Sequence, residues 1–131
     1  MLVFINFADK TTPMVSRLIM VIDNEESILD IISIILKQAK HNVITHPEPP
    51  SVPFNHSVPD LIILDISPNN KHNKDYFDFL KSNSATMNIP VILTSTFEGL
   101  KSVAINWKAD AFLSKPFDID ILVSQVNGLL V

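Results

Sequence analysis

Two kinds of apolar spacing alternate along the chain. The first is the unbroken run: Leu18 to Ile22 and Leu61 to Leu64 hold no polar residue, and Val91 to Leu93 repeats the habit before Thr94. Such runs suit strands covered on both faces, as the central strands of a parallel sheet are. Asn42 to Thr45 and Ala111 to Leu113 read as shorter strands. The second spacing is helical. Ile28, Ile31, Ile32, Ile35, Leu36 and Ala39 are expected on one buried face, while Glu26, Asp30, Ser33, Lys37 and Lys40 step along the other. Three further helices are predicted. One runs from about Asp75 to Lys81 with Phe77 and Leu80 inward, and one places Leu100, Val103, Ala104 and Trp107 on a shared face. The last follows Asp118, an N-cap candidate, and turns Ile119, Leu122, Val123, Val126 and Leu130 inward.

One segment breaks the alternation. Pro47, Pro49, Pro50, Pro53 and Pro59 remove backbone donors and force their predecessors out of helical geometry, so the crossover between the second and third strands runs mostly extended. Val52, Phe54 and Val58 are expected to cap the sheet there. The polar stretch Ser67 to Lys74 similarly delays the next helix. Chemistry concentrates at the strand ends. Asp23 ends the first strand, Asp65 the third and Ser95 the fourth, and Lys115 with Pro116 follows the fifth. In open α/β sheets the ligand crevice lies outside the carboxyl ends of the strands, where the strand order reverses. Two acids, a hydroxyl and a cation are thus directed to one place.

Composition narrows the picture. With 131 residues and 47% hydrophobic content the chain has room for one compact domain. A net charge of −4, with ten basic residues spread thinly, does not suggest nucleic acid or an anionic membrane as partner. No apolar run approaches the ~18 residues of a membrane span. The absence of cysteine excludes disulfides and cysteine-ligated zinc and is compatible with a reducing, cytoplasmic setting. His41, His46, His56 and His72 show no metal spacing and are read as solvated. Met1 to Arg17 lacks the basic flank of a secretory signal.

Taken in order, Val-Ile-Asp-Asn-Glu-Glu-Ser at 21 to 27, Leu-Ile-Ile-Leu-Asp at 61 to 65, Pro-Val-Ile-Leu-Thr-Ser at 90 to 95 and Phe-Leu-Ser-Lys-Pro-Phe at 112 to 117 resemble the receiver domain of two-component response regulators. The resemblance covers Leu18 to Leu130. It implies a flavodoxin-like, doubly wound, five-stranded parallel sheet of order 2-1-3-4-5, with the second helix reduced or absent in this chain. It further implies that Asp65 accepts a phosphoryl group from a histidine kinase. Asp23, Asn24, Asp65 and the carbonyl of Ser67 would supply a partial Mg²⁺ shell. Ser95 and Lys115 would stabilise the phosphoryl oxygens, Phe112 occupies the aromatic switch position, and a cis Lys115–Pro116 bond aims the lysine. The domain would be a switch rather than an enzyme. Its expected partners are a histidine kinase or phosphotransfer protein and an output protein, and a homodimer is allowed.

The chain departs from the family pattern in several places. Asn24 stands where a second acid is usual, which removes one negative charge; Glu25 is the nearest acid able to compensate. Pro68 lies three residues beyond Asp65 where the family has proline at four, and Lys108 replaces a helix-ending glycine. The alternative function is a pseudo-receiver, a phosphorylation-independent interaction module. A small-molecule enzyme on this fold is not expected, because Gly99 and Gly128 are the only glycines and form no phosphate loop. The domain is expected over residues 18–131 and the extension over 1–17. Leu2, Val3, Phe4, Ile5 and Phe7 of that extension are expected to compensate for the missing helix, either by covering the sheet surface it leaves open or by adding a strand beside Asn42 to Thr45.

Overall fold

The computed structural model describes residues 17–52, 54, 58–67 and 72–131. Residues 1–16 of the expected extension and the turn at Pro68 therefore lie outside the described residues. Five strands, β1 (Leu18–Ile22), β2 (Asn42–His46), β3 (Leu61–Asp65), β4 (Val91–Ser95) and β5 (Ala111–Ser114), alternate with four helices. These are α1 (Glu26–Gln38), α2 (Asn73–Ser82), α3 (Leu100–Trp107) and α4 (Ile119–Leu129). All neighbouring strands are parallel in the order β2-β1-β3-β4-β5, the flavodoxin-like order. The order reverses beside β1 and β3. Their carboxyl ends stand together, with Ile22 opposite Leu64 and Asp65 opposite Thr94.

The unbroken apolar runs have a direct consequence: successive residues of a strand enter different cores. Ile19, Val21, Leu61, Ile63 and Ile92 pack with Leu29, Ile32, Ile35 and Leu36 of α1 and with Leu122 and Val126 of α4. Met20, Ile22, Ile62, Leu64, Val91 and Leu93 pack with Phe77 and Leu80 of α2 and with Leu100 and Ala104 of α3. Each fully buried Leu, Ile or Phe contributes roughly 1.5–3 kcal/mol by leaving water. Among the described crossover residues none is helical, and Val52 and Phe54 lie against the α2/α3 core. Val58, expected beside them, is instead exposed.

Other expectations need correction. Leu29 of α1 is buried while Ile31 is half exposed, so the inward face is rotated from the one the isoleucines suggested. Ile119, in the first turn of α4, is also exposed. The second helix of the chain begins at Asn73, two residues before Asp75. His41 is not solvated: it is buried, and its Nε2 lies 2.8 Å from Asn127 Oδ1, joining the end of α1 to α4. Lys108 closes α3 in the left-handed region at φ 59°. For a residue with a Cβ that conformation costs about 1–2 kcal/mol relative to the right-handed form.

Candidate functional site

The strand ends bring the site together through backbone ladders. The Asp23 N–H donates to His46 O at 3.1 Å, carrying the β1–β2 ladder one residue past β1. The Ile66 N–H donates to Thr94 O at 2.9 Å and does the same for β3 and β4. The Lys115 N–H donates to Ser95 O at 2.9 Å, and the Lys115–Pro116 peptide is cis. These bonds leave Asp23, Asp65 and Lys115 on one rim of the sheet.

Their side chains converge. The Lys115 ammonium donates to Asp23 Oδ2 at 2.6 Å and to Asp65 Oδ1 at 3.1 Å, and Glu25 Oε1 lies 3.7 Å away. The lysine side chain is 5% exposed, that of Asp23 2% and that of Asp65 1%, so this ion cluster is shielded and its hydrogen bonds are charge-assisted. Ser67 donates from both Oγ, at 2.7 Å, and its N–H, at 3.3 Å, to Asp65 Oδ1. The Glu25 N–H donates to Asp23 Oδ1 at 2.9 Å. Ser95 is fully buried on the neighbouring strand end, where its Oγ accepts the Phe97 N–H at 3.0 Å.

Burial pushes the Asp23 carboxyl above its ordinary range, and the nearby Asp65 charge adds to this. The Lys115 hydrogen bond and the Glu25 N–H oppose it without cancelling it. Burial alone would pull the Lys115 ammonium down. Asp23 and Asp65 outweigh that cost and hold it above its ordinary value, so the lysine is a fixed cation between two acids.

The other predicted positions are distributed around this cluster. Asn24 is exposed and lines a separate cavity beside α1. Phe112 is half-buried against the α2/α3 core, and its carbonyl accepts from Gln125 Nε2 at 3.0 Å. Pro116 is exposed. The sequence reading missed Asn73. This buried residue opens α2 and donates from Nδ2 to the backbone carbonyl of Asp65, pinning the strand end from below. An asparagine among Asn69, Asn70 and Asn73 in a polar loop gives no signal of which one turns inward.

A family model for the response regulator receiver domain matches residues 19–127. The chain belongs to that family. No curated protein sequence matches it, but solved receiver structures do. Chemotaxis protein CheY4 of Vibrio cholerae is 19% identical, with 88% of this chain and 100% of that one covered at a TM-score of 0.76. The signal receiver domain of a signal transduction histidine kinase from Syntrophus aciditrophicus is 25% identical, covering 88% and 90% at 0.75. Response regulator DrrB of Thermotoga maritima, an OmpR/PhoB homolog, is 23% identical, covering 88% of this chain and 53% of its own at 0.73. Receivers thus occur alone and as parts of longer chains. They are regulatory domains of two-component systems, and no helix among the described residues of this one is long and apolar enough to cross a membrane.

Proposed function

We propose that this receiver is a phosphoacceptor switch in which Asp65 takes a phosphoryl group from the phosphohistidine of a kinase or phosphotransfer protein. The observation that carries the reading is the Lys115 ammonium held 3.1 Å from Asp65 Oδ1 in a site shielded from water. Phosphoryl transfer asks little covalent chemistry of a protein and depends on position and on positive charge. An Asp65 carboxylate oxygen attacks phosphorus and forms the acyl phosphate, while the P–N bond breaks and its electron pair returns to the histidine nitrogen. Lys115 moves its hydrogen bond from the carboxylate to the phosphoryl oxygens. Ser95 Oγ, which now accepts from Phe97, keeps its own proton to donate to the same oxygens.

Receiver domains generally bind Mg²⁺ at the phosphorylation site. The side chains of Asp23, Asp65 and Asn24 and the Ser67 carbonyl are all hard oxygen donors, the chemistry that suits this ion. Bound there, Mg²⁺ would supply further positive charge against the phosphoryl oxygens.

The test is incubation with Mg²⁺ and a small acyl phosphate donor, followed by intact-mass measurement. The wild-type chain should gain one phosphoryl group that is labile in base, and Asp65→Asn should gain none. A wild-type chain that gains nothing belongs to the phosphorylation-independent class of interaction module. A gain that persists in Asp65→Asn places the acceptor elsewhere.

A further inference from the structure

Asn73 stands one position too late to cap α2. Asparagine is among the best N-cap residues, but the N-cap here is His72, which makes no side-chain capping bond. Asn73 is 4% exposed, and its Nδ2 donates to the main-chain carbonyl of Asp65. A buried amide is costly unless it is hydrogen-bonded, so burial holds this bond in place. The same peptide group is gripped at its other end, where the Ile66 N–H donates to Thr94 O at 2.9 Å. The carbonyl and the N–H of the Asp65–Ile66 peptide are thus both fixed, one by a side chain from α2 and the other by the neighbouring strand.

We propose that Asn73 is a positioning residue for phosphoryl transfer to Asp65, acting through the backbone and without touching the phosphoryl group. Asp65 is the last residue of β3, so its carboxylate is aimed by a chain that is just leaving the ladder. Ser67, two residues into that departing chain, donates to Asp65 Oδ1 from both Oγ and N–H, and Lys115 donates to the same oxygen from just beyond β5. A rotation of the Asp65–Ile66 peptide would shift Ser67 against the carboxylate and the carboxylate against Lys115 together. Asn73 opposes that rotation. Aim matters to the reaction, because misplacing a reacting group by about 1 Å costs about a hundredfold in rate. No bond to Asn73 forms or breaks in the attack, and its hold on the Asp65 carbonyl persists in the acyl phosphate. This inference rests on the reading of Asp65 as the phosphoacceptor.

The rate at which the full chain gains a phosphoryl group from a small acyl phosphate with Mg²⁺, followed by intact mass, tests the assignment against a matched control. Thr86 makes the same kind of bond beyond the far end of α2: it is 2% exposed, and its Oγ1 donates to the Leu80 carbonyl at 2.7 Å. The ten residues of α2, about 15 Å of helix, separate it from the site. Asn73→Ala and Thr86→Val should lower the urea midpoint to similar extents, since each removes one donor from a buried carbonyl. Only Asn73→Ala should slow phosphorylation, by about tenfold or more, with Thr86→Val within about twofold of wild type. Asn73→Ser keeps a donor on a shorter arm and should recover part of the rate. If Asn73→Ala does not fold, Asn73→Ser against Thr86→Val carries the same comparison. Equal slowing by Asn73→Ala and Thr86→Val would reduce Asn73 to a structural residue and overturn the assignment. So would an Asn73→Ser no faster than Asn73→Ala. A wild-type chain that takes no phosphoryl group overturns the phosphoacceptor reading and this inference with it, whereas a phosphorylated wild type beside an unslowed Asn73→Ala overturns the inference alone.

Discussion

Lys115→Met keeps most of the aliphatic stem of the lysine and removes its charge, leaving Asp23 and Asp65 facing each other at 2% and 1% exposure. The variant loses charge-assisted bonds of 2.6 and 3.1 Å. Removing one partner from a buried ion pair costs about 3–5 kcal/mol, far more than the median of about 0–1 kcal/mol for a surface pair. With a urea dependence of about 2 kcal/mol per molar, the midpoint should fall by roughly 2 M. Trp107, the single tryptophan, reports unfolding directly, since its ring centroid stands 5.4 Å from that of Phe77. The penalty should also depend on pH. Asp23 already titrates above its ordinary value of 3.8, so the folded chain binds the extra proton. The stability associated with that proton is fully present below pH 3.8 and is lost as pH rises through the folded pKa. Without the lysine Asp23 loses the contacts that hold its carboxyl down and shifts further up, so the deficit of the variant should be larger at pH 8 than at pH 5. Adding Asp23→Asn should recover part of it, because one of the two repelling charges is then gone. A midpoint within about 0.5 M of wild type at pH 8, or a larger deficit at pH 5, would refute the shielded-cation account.

Three shorter predictions follow from other contacts. The Lys115 ammonium is held above 10.5, so its stabilisation is complete below pH 10.5 and is lost as pH rises through the folded value; alkaline urea midpoints should show this loss in wild type and not in Lys115→Met. Asn127→Ala removes the oxygen 2.8 Å from the buried His41 Nε2 and should cost about 1–3 kcal/mol by urea unfolding, whereas a neutral result would mean that water replaces the amide. In Gly99→Ala the new Cβ would meet the Phe97 ring, which is half exposed and able to swing aside. Stability should therefore change by no more than about 1 kcal/mol while the Phe97 ring resonances move, and a larger loss would show the ring to be fixed.

The strand order was legible because four of the five strands are written as apolar runs or end in a polar residue of definite chemistry. Prolines made the want of a helix among the described crossover residues equally plain. The orientation of α1 was not legible. Isoleucines at 28, 31, 32, 34 and 35 offer more apolar surface than one face can use, and the docking of the helix, rather than its periodicity, selected Leu29 over Ile31. Ile119 matches the inward spacing of α4 but is left exposed in its first turn. The partner of His41 is 86 positions away in sequence, so its burial could not be read locally. At the candidate site the residue types and their strand ends were readable. What spacing cannot encode is the division of Lys115 between two acids, closer to Asp23 than to Asp65, or the inward turn of Asn73 beneath Asp65.

The segregation of each strand into two cores implies that the faces of this sheet can diverge at different speeds. Ile19, Val21 and Ile63 answer only to α1 and α4, while Met20, Ile22 and Leu64 answer only to α2, α3 and the proline crossover. A substitution on the crossover side is therefore felt by one half of the interior and leaves the other half at native density. The ladder bonds that hold Asp23 and Asp65 belong to the backbone between the halves, so they do not depend on which side chains fill either one. A change of cover on one face need not displace the acids at the rim. Volume changes among the residues that pack with Val52 and Phe54 should therefore need no matching change on the α1 and α4 face.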